Sequence, residues 1–203
     1  MKIILKIKIL IKILIIISCS SHPSLAEKIS LNKISDYING LTTLQADFEQ
    51  INSDGSIDRG KLYIRRPGRM RLEYTAPNNA LVIAGAGSVA IFDDKSKNGP
   101  TLFPLKKTPL NLLLKKNVNL SKNEMITEHT ANNENTFIVA TDPKRKSQGG
   151  IKIVFSNSPV SLQGWTITNQ SNQKTKIILD KLDKKTKIPL YLFNISAASK
   201  NKN

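Results

Sequence analysis

Strict alternation of apolar and polar residues is the pattern that most constrains how this chain can fold. It runs through Arg69–Tyr74, where every second residue is charged, and through residues 44–49. Because successive side chains of a β-strand point to opposite faces, this alternation predicts strands that bury one face and expose the other. Turn-forming pairs, Asp54-Gly55 and Pro67-Gly68, follow two of the predicted strands. The sequence therefore predicts an antiparallel sheet made of consecutive hairpins.

Further strand-like runs continue toward the C-terminus. They lie at residues 80–84, 88–92, 136–141, 151–155, 165–169 and 174–182. Together the runs predict one domain with roughly nine or ten strands. An apolar segment at residues 188–195 is expected to close or cover the sheet, and residues 196–203 are predicted to form a frayed tail.

Two helices are predicted beside the sheet. Apolar residues at helical spacing predict an N-terminal helix that ends at Gly40, with Ser30 as its candidate N-cap. A short central helix is predicted at residues 109–116, with Thr108 as N-cap and Pro109 at the first helical position. Leucines lie nearly all round this helix, so much of its surface is expected to be buried or to cover something apolar.

The first residues have the features of an export signal. Four lysines and no acid precede an apolar run at residues 13–17, and Ser24 and Ala26 are the small residues that a signal peptidase requires. The apolar run is far shorter than the ~20 residues that span a bilayer. We therefore interpret residues 1–26 as a signal peptide and residues 27–203 as a single exported β domain, which predicts a bacterial envelope protein.

Cys19 leaves a second processing route open. Residues 16–19 weakly resemble the lipobox of bacterial lipoproteins, in which the cysteine becomes the lipidated N-terminus. Lipidation there would make the protein an outer-membrane lipoprotein, whereas cleavage after Ala26 would leave it without an anchor. Cys19 is the one cysteine of the chain, so the exported domain has no disulfide framework.

The chain is strongly basic, with a formal net charge of +16. For an exported protein, anionic lipid head groups are better candidates than nucleic acid for partners of so many cations. No nucleic-acid partner is therefore predicted.

Residues that could carry catalysis are scarce. His129 is the one histidine beyond the predicted cleavage region, and no cysteine or second histidine accompanies it to form a metal site. Gly85-Ala86-Gly87 lacks the lysine and the following helix of a phosphate-binding loop. The sequence predicts neither an enzyme nor a bound cofactor or metal.

Four arginines cluster around the predicted turn between two of the strands. Arg65, Arg69 and Arg71 have the parity of the polar face and are expected to be solvated. Arg66 instead shares the parity of the apolar face, so it is expected to point inward. A buried guanidinium needs acceptors such as backbone carbonyls or a carboxylate. In a barrel, those acceptors could belong to an element that covers its mouth.

Three segments, in this order and spacing, resemble the outer-membrane lipoprotein carrier family of the Lol pathway. They are residues 44–50, residues 60–74 with the stretch Arg-Arg-Pro-Gly-Arg, and residues 108–114. The resemblance implies a mostly β fold: an incomplete antiparallel β-barrel over an N-terminal helix and a short central lid helix, with an apolar cavity between. It also implies that Arg66 bonds the covering helices and holds the empty cavity shut.

The expected lining of this cavity consists of apolar side chains from the inward face of the sheet and from the central helix. These residues are Leu44, Phe48, Leu62, Ile64, Met70, Leu72, Tyr74, Leu110 and Leu113. Met70 stands where the family often has an aromatic residue.

The function implied by the resemblance is that of a periplasmic chaperone that carries lipoproteins from the inner to the outer membrane by their acyl chains. The implied partners are acylated lipoproteins, an inner-membrane lipoprotein-releasing ABC transporter and an outer-membrane receptor, and the carrier is expected to be a monomer. Two alternatives remain open at this point. The protein could be the receptor of the same pathway, anchored by a lipidated Cys19, or an envelope module that binds anionic lipid or glycan and carries nothing.

Overall fold

The computed structural model describes residues 28–93, 99–144 and 149–202 of the chain. The predicted signal peptide and Cys19 lie outside these residues.

Eleven strands form one sheet in the part of the chain that the structure describes. In chain order they are β1 (Thr43–Ile51), β2 (Ile57–Arg65), β3 (Arg69–Tyr74), β4 (Leu81–Gly85), β5 (Ser88–Phe92), β6 (Thr101–Pro104), β7 (Ile126–Ala131), β8 (Asn135–Thr141), β9 (Gly150–Asn157), β10 (Val160–Thr168) and β11 (Lys174–Asp183). The order across the sheet is β6-β5-β4-β3-β2-β1-β11-β10-β9-β8-β7, and neighbouring strands are antiparallel.

The sheet is open, because β6 and β7 form its two edges and do not pair with each other. The prediction of a mostly β, incomplete antiparallel barrel is confirmed in the form of one large open sheet. Two meanders of consecutive hairpins make up the sheet, and they join where β1 pairs with β11. This pairing brings the two ends of the domain into the middle of the sheet.

The two edge strands are the ones that the sequence did not predict. All four residues of β6 are exposed, and none of the residues of β7 is buried. Because alternation arises only where one face of a strand is buried, neither segment has a pattern from which a strand can be recognised. Both strands are formed by backbone pairing with an inner neighbour.

The helices agree with the sequence at the N-terminus and differ in the middle of the chain. Helix α1 (Leu31–Gly40) is capped by Ser30, whose hydroxyl accepts a hydrogen bond from the backbone N–H of Lys33 at 3.3 Å. In the middle, a 3-10 turn (Leu105–Lys107) precedes a one-turn helix α2 (Asn111–Leu114), which is shorter than predicted. The prediction that Thr108 is its N-cap is wrong, because the Thr108 hydroxyl donates to the carbonyl of Leu105 at 2.8 Å.

The main core lies between one face of the sheet and the helices α1 and α2. Helix α1 packs on β10, where the Tyr37 hydroxyl accepts from the backbone N–H of Leu162 at 3.0 Å. The Tyr37 ring also meets Phe155 of β9 edge-on, with 6.0 Å between the ring centroids. On its other side, α1 accepts at Ser35 Oγ a hydrogen bond from the backbone N–H of Leu120, at 2.9 Å. The inner face of the sheet is therefore covered by helix and by the chain that follows α2.

The opposite face of β3, β4 and β5 is covered as well, by the C-terminal segment. This segment, residues 188–202, includes a 3-10 turn (Leu190–Phe193) and helix α3 (Ile195–Lys202). Phe193 and Ile188 pack there against Leu81, Ile83 and Phe92. The expectation that the apolar segment covers the sheet is met, but the prediction of a frayed tail is wrong. The tail was not predicted to be ordered because it has few apolar residues. In the structure it forms a helix that contacts β4, a strand distant in sequence.

Candidate functional site

Arg66 lies where β2 ends, and its side chain reaches the ends of both covering helices. Its Nη1 donates to the carbonyl of Ile38 in a short hydrogen bond and to the carbonyl of Leu41 at 3.4 Å. Its Nη2 donates to the carbonyl of Lys115 at 2.7 Å. Ile38 lies in the last turn of α1, and Lys115 directly follows α2. One guanidinium thus joins the sheet to α1 and α2.

The electrostatic setting of Arg66 is a partly buried cation among carbonyl oxygens. Burial lowers the pKa of Arg66 from its ordinary value, but arginine starts so high that the side chain remains charged. The carbonyl oxygens at the C-terminal end of a helix carry partial negative charge, which stabilises a cation placed there. The Nε atom of Arg66 is buried without a hydrogen-bond partner among the described residues. The side-chain hydrogen bonds of Arg66 therefore all end on backbone carbonyls of the covering elements.

The backbone of the same turn also touches the chain around the helices. The N–H of Arg66 donates to the carbonyl of Thr42 at 2.9 Å, and the N–H of Gly68 donates to the carbonyl of Leu114 at 2.7 Å. Gly68 has φ +75°, a conformation that glycine adopts without the strain that other residues incur. The turn between β2 and β3 therefore holds α2 by backbone as well as by side chain.

The residues expected to line a cavity are packed against one another in this structure. They belong to the main core between the sheet and the helices, with Tyr74 half-buried and the other eight buried: Leu44, Phe48, Leu62, Ile64, Met70, Leu72, Tyr74, Leu110 and Leu113. Their shared face is fixed by register, since Leu62 pairs with Leu72 and Ile64 with Met70. Among the described residues, the space between sheet and helices is thus filled by the side chains that were expected to surround it.

One end of this core contains an aromatic pair over a glycine. The rings of Phe48 and Tyr74 meet edge-on with 5.1 Å between centroids. A Cβ atom at Gly60 would lie 2.8 Å from Phe48 Cε1 and would collide with the carbonyl oxygen of Glu73. Gly60 therefore makes room for the Phe48 ring within a strand.

Tyr74 is the polar member of the predicted lining. Its hydroxyl donates to Oε1 of Gln50 at 2.5 Å. Burial raises the pKa of the Tyr74 phenol far above its usual range, and the nearby negative charge of Asp58 adds to the shift. The phenol is therefore neutral at the pH of any cellular compartment.

Two arginines that were expected to be solvated bind the C-terminal segment instead. Arg65 Nη1 donates to the carbonyl of Ile188 at 2.6 Å, and Arg71 Nη1 donates to the carbonyl of Leu192 at 3.2 Å. The prediction for these two residues is wrong because the outer face, which looked polar on β2 and β3, is covered by residues distant in sequence. Arg69 is solvent-accessible as predicted, and its Nη1 contacts the carbonyl of Pro67 at 3.3 Å.

His129 contacts the backbone just before α1. Its Nε2 lies 2.8 Å from the carbonyl oxygen of Ile29, and partial burial lowers the pKa of the imidazole. Within the described ranges, no three His, Cys, Asp or Glu side chains come together as they would to hold a metal ion. No helix among those same residues has the length and hydrophobicity that crossing a membrane would need.

Comparison with known proteins identifies relatives of this chain by sequence and by fold. The family model of the outer membrane lipoprotein carrier protein LolA matches residues 39–196. An outer-membrane lipoprotein carrier protein of Methylococcus capsulatus is 25% identical over 78% of this chain and 79% of its own length. One of Chromohalobacter salexigens is 23% identical over 74% of this chain and 75% of its own.

A solved structure shares the fold at low sequence identity. The putative outer membrane lipoprotein-sorting protein domain from Vibrio parahaemolyticus superposes with a TM-score of 0.50 and 11% identity, over 83% of this chain and 97% of that one. Members of the family are carriers and not enzymes. Since the family model spans most of the sequence, the chain belongs to the family of the outer membrane lipoprotein carrier protein LolA.

Proposed function

We propose that the protein is a periplasmic carrier that binds the acyl chains of lipoproteins between its sheet and its helices and takes them from the inner to the outer membrane. The observation that carries this proposal is the set of hydrogen bonds from Arg66 to Ile38, Leu41 and Lys115. These bonds join the sheet to two separate covering elements over an apolar interior. Family membership supports the same role.

The interior has the chemistry that acyl chains require. Each buried methylene stabilises attachment by ~0.8 kcal/mol, so one long acyl chain holds a lipoprotein in its membrane with on the order of 10 kcal/mol. A carrier must offer a comparable apolar surface. The inward side chains of β1 to β3, together with Leu110 and Leu113, provide such a surface once the helices move away.

Arg66 is proposed to lock the empty carrier. When acyl chains enter, α1 and α2 move outward and the bonds from Arg66 to their carbonyls break. When the bonds form again, they favour the closed state and thereby expel the cargo. A permanently open apolar groove would aggregate, so the closed state also protects the carrier between two loads. The proposed lining is the set of nine residues packed in the core between sheet and helices.

The proposed partners follow from the route. An inner-membrane lipoprotein-releasing ABC transporter would load the carrier, and an outer-membrane receptor would accept its cargo. The carrier itself is expected to contribute no enzyme activity and no cofactor to this cycle.

The test compares wild type with Arg66→Leu in lipoprotein release from spheroplasts and in transfer to outer membranes. Arg69→Leu is the matched control, because it removes an arginine of the same turn whose side chain, among the described residues, donates to the carbonyl of Pro67. We expect Arg66→Leu to accept lipoproteins but to hand over several-fold less, since cargo no longer competes with the locking bonds. Equal release and equal transfer by all three proteins would contradict the lock.

A second candidate is the receptor of the same pathway, and Cys19 is the observation that favours it. Mass spectrometry of the mature N-terminus separates the two: a lipidated Cys19 supports the receptor, and cleavage after Ala26 supports the carrier. A dye that fluoresces in apolar cavities tests the remaining alternative. An envelope module with a permanently packed core would not take up the dye.

A further inference from the structure

Two adjoining clefts lie beside α2, at the end of the molecule where Arg66 meets the helices. The first has a volume of about 160 Å³ and the second about 490 Å³. They share Lys115, Asn123, Met125 and Asp142, and therefore form one continuous surface.

Lysines dominate the rim of this surface. We call the following five residues the lysine rim: Lys106, Lys107, Lys115, Lys122 and Lys144. The acids that line the same clefts are Glu124 and Asp142. Within the part of the chain that the structure describes, no ammonium group of the lysine rim forms an ion pair. The surface therefore keeps an excess of positive charge.

An exposed apolar edge directly precedes the lysine rim in the chain. Leu102 and Phe103 of β6 are 59% and 44% exposed. They lie on an edge strand that pairs with β5 alone. Phe103 precedes Lys106 by three residues, so the two are no more than ~10 Å apart along the backbone. The two side chains point to opposite faces of the edge strand, since Phe103 lies opposite Val89 of the main core and Leu102 opposite Ala90 on the face that the C-terminal segment covers. A partner that reaches both side chains must therefore meet the strand edge-on, and apolar side chains so close in the chain to lysines indicate an amphipathic partner.

We propose that the lysine rim and the apolar edge together form a docking surface for a membrane that contains anionic phospholipid. Lysine ammonium groups bind the phosphates of the head groups, while Leu102 and Phe103 enter the boundary between head groups and acyl chains. An acidic protein would match the lysines but would leave the apolar edge in water. Membrane docking accounts for both features at once.

The docking surface lies close to the hydrogen bonds of Arg66 that are proposed to hold the helices closed. Lys115 lines both clefts, and its carbonyl accepts the hydrogen bond from Arg66. A membrane bound at the rim therefore lies next to the bonds that close the protein. Docking itself requires no cargo, so its test is independent of the proposed carrier function.

The test measures binding of the purified, cargo-free protein to sedimented vesicles of phosphatidylcholine alone and of phosphatidylcholine with phosphatidylglycerol. We expect binding to the anionic vesicles and loss of that binding at high salt, because screening weakens exposed charges. Lys106→Glu/Lys107→Glu/Lys144→Glu reverses three charges of the rim. Since each lysine near an anionic surface strengthens binding roughly fivefold, the partition coefficient should fall at least about 100-fold.

The matched control, Lys174→Glu/Lys176→Glu/Lys185→Glu, changes the net charge equally at exposed positions of β11 and the turn after it. We expect it to retain most of the binding. A second pair of variants tests the apolar edge without changing charge: Phe103→Ser should weaken binding roughly tenfold, whereas Ile57→Ser, at a residue 50% exposed elsewhere, should not. Failure of wild type to bind anionic vesicles, or equal losses in the rim and control variants, would overturn the proposal.

Discussion

Arg66 Nη2 donates a hydrogen bond to the carbonyl oxygen of Lys115 at 2.7 Å and so ties the turn between β2 and β3 to the end of α2. The same guanidinium bonds the last turn of α1 through Ile38. Both acceptors are carbonyls that α1 and the chain after α2 would otherwise leave to solvent or to weaker partners. The proposed opening of the helices would therefore break charge-assisted hydrogen bonds at one residue and expose the apolar core behind it.

Arg66→Leu should make opening of α2 easier without unfolding the sheet. Hydrogen bonds to charged groups contribute about 1.5–3 kcal/mol each, but solvation of the freed carbonyls and the apolar leucine offset part of the loss. We expect the amides of Lys115 and Leu114 to exchange roughly 10–100-fold faster, as measured by hydrogen exchange and mass spectrometry. Exchange in β9 and β10 should stay unchanged.

Arg69→Leu is the control for this measurement, because its side chain bonds within its own turn and not to a helix. It should exchange like wild type throughout. If Arg66→Leu also exchanged like wild type near α2, the backbone bond from Gly68 to Leu114 would be sufficient to hold the helix.

Gly60→Ala should destabilise the protein by about 1–3 kcal/mol, because the new methyl group would collide with the Glu73 carbonyl and press on the Phe48 ring. The free energy of unfolding in urea measures the loss. Gly40→Ala is the matched control, since a Cβ there meets nothing within 4 Å and its φ is ordinary. It should leave the stability unchanged or raise it slightly. Equal stabilities of the two variants would show that the strand at Gly60 can shift to make room.

Alternation in the sequence was enough to predict the inner face of the sheet, because the parity of a strand passes unbroken from Leu62 and Ile64 to Arg66. The same parity predicted that Arg66 points inward, and the structure places it against the helices. An alternating sequence predicts which side chains point inward wherever one face of a strand is buried and the other is exposed. The alternation could not predict that the inward side chains pack against one another. That packing depends on how closely the sheet and the helices, which are distant in sequence, approach each other.

The outer face could not be predicted in the same way. Arg65 and Arg71 looked like solvated residues because the segment that covers them lies more than 100 positions later in the chain. A signal was present in β4, where nearly every residue is apolar, since a continuous apolar run indicates a strand that is buried on both faces. Leu81 and Ile83 do contact the C-terminal segment through Phe193.

Phe193→Ala should release the C-terminal segment from the outer face. Truncation of a buried phenylalanine costs about 3–5 kcal/mol, and here the loss falls on a segment that is held mainly by this residue, by Ile188 and by two arginines. We expect trypsin to cleave after Lys184, Lys185 or Lys187 several-fold faster in native conditions. Tyr191→Ala, at a residue 72% exposed in the same 3-10 turn, should be cleaved like wild type. Equal rates in both variants would mean that the arginine bonds alone hold the segment.

Tyr74→Phe should flatten the fall in stability at alkaline pH. Burial raises the pKa of the Tyr74 phenol in the folded protein, whereas an unfolded tyrosine loses its proton near pH 10. The contribution of Tyr74 is therefore constant below pH 10, and it is lost as the pH rises further, by up to ~1.4 kcal/mol per pH unit, until the pH reaches the raised pKa of the folded state. At pH 7 the variant should be less stable by about 1 kcal/mol, because the hydrogen bond to Gln50 is gone. Between pH 10 and pH 11 the difference from wild type should shrink or change sign.

Urea unfolding at pH 7, 9, 10 and 11 measures this difference, and Tyr191→Phe, at an exposed position, is the control that should follow wild type. All other groups are the same in the three proteins, so only the differences between their curves are interpreted. If Tyr74→Phe and wild type ran parallel up to pH 11, Tyr74 would have to ionise as readily in the folded protein as in the unfolded chain. That result would mean that water reaches the phenol, and that the core at the Phe48 end is open.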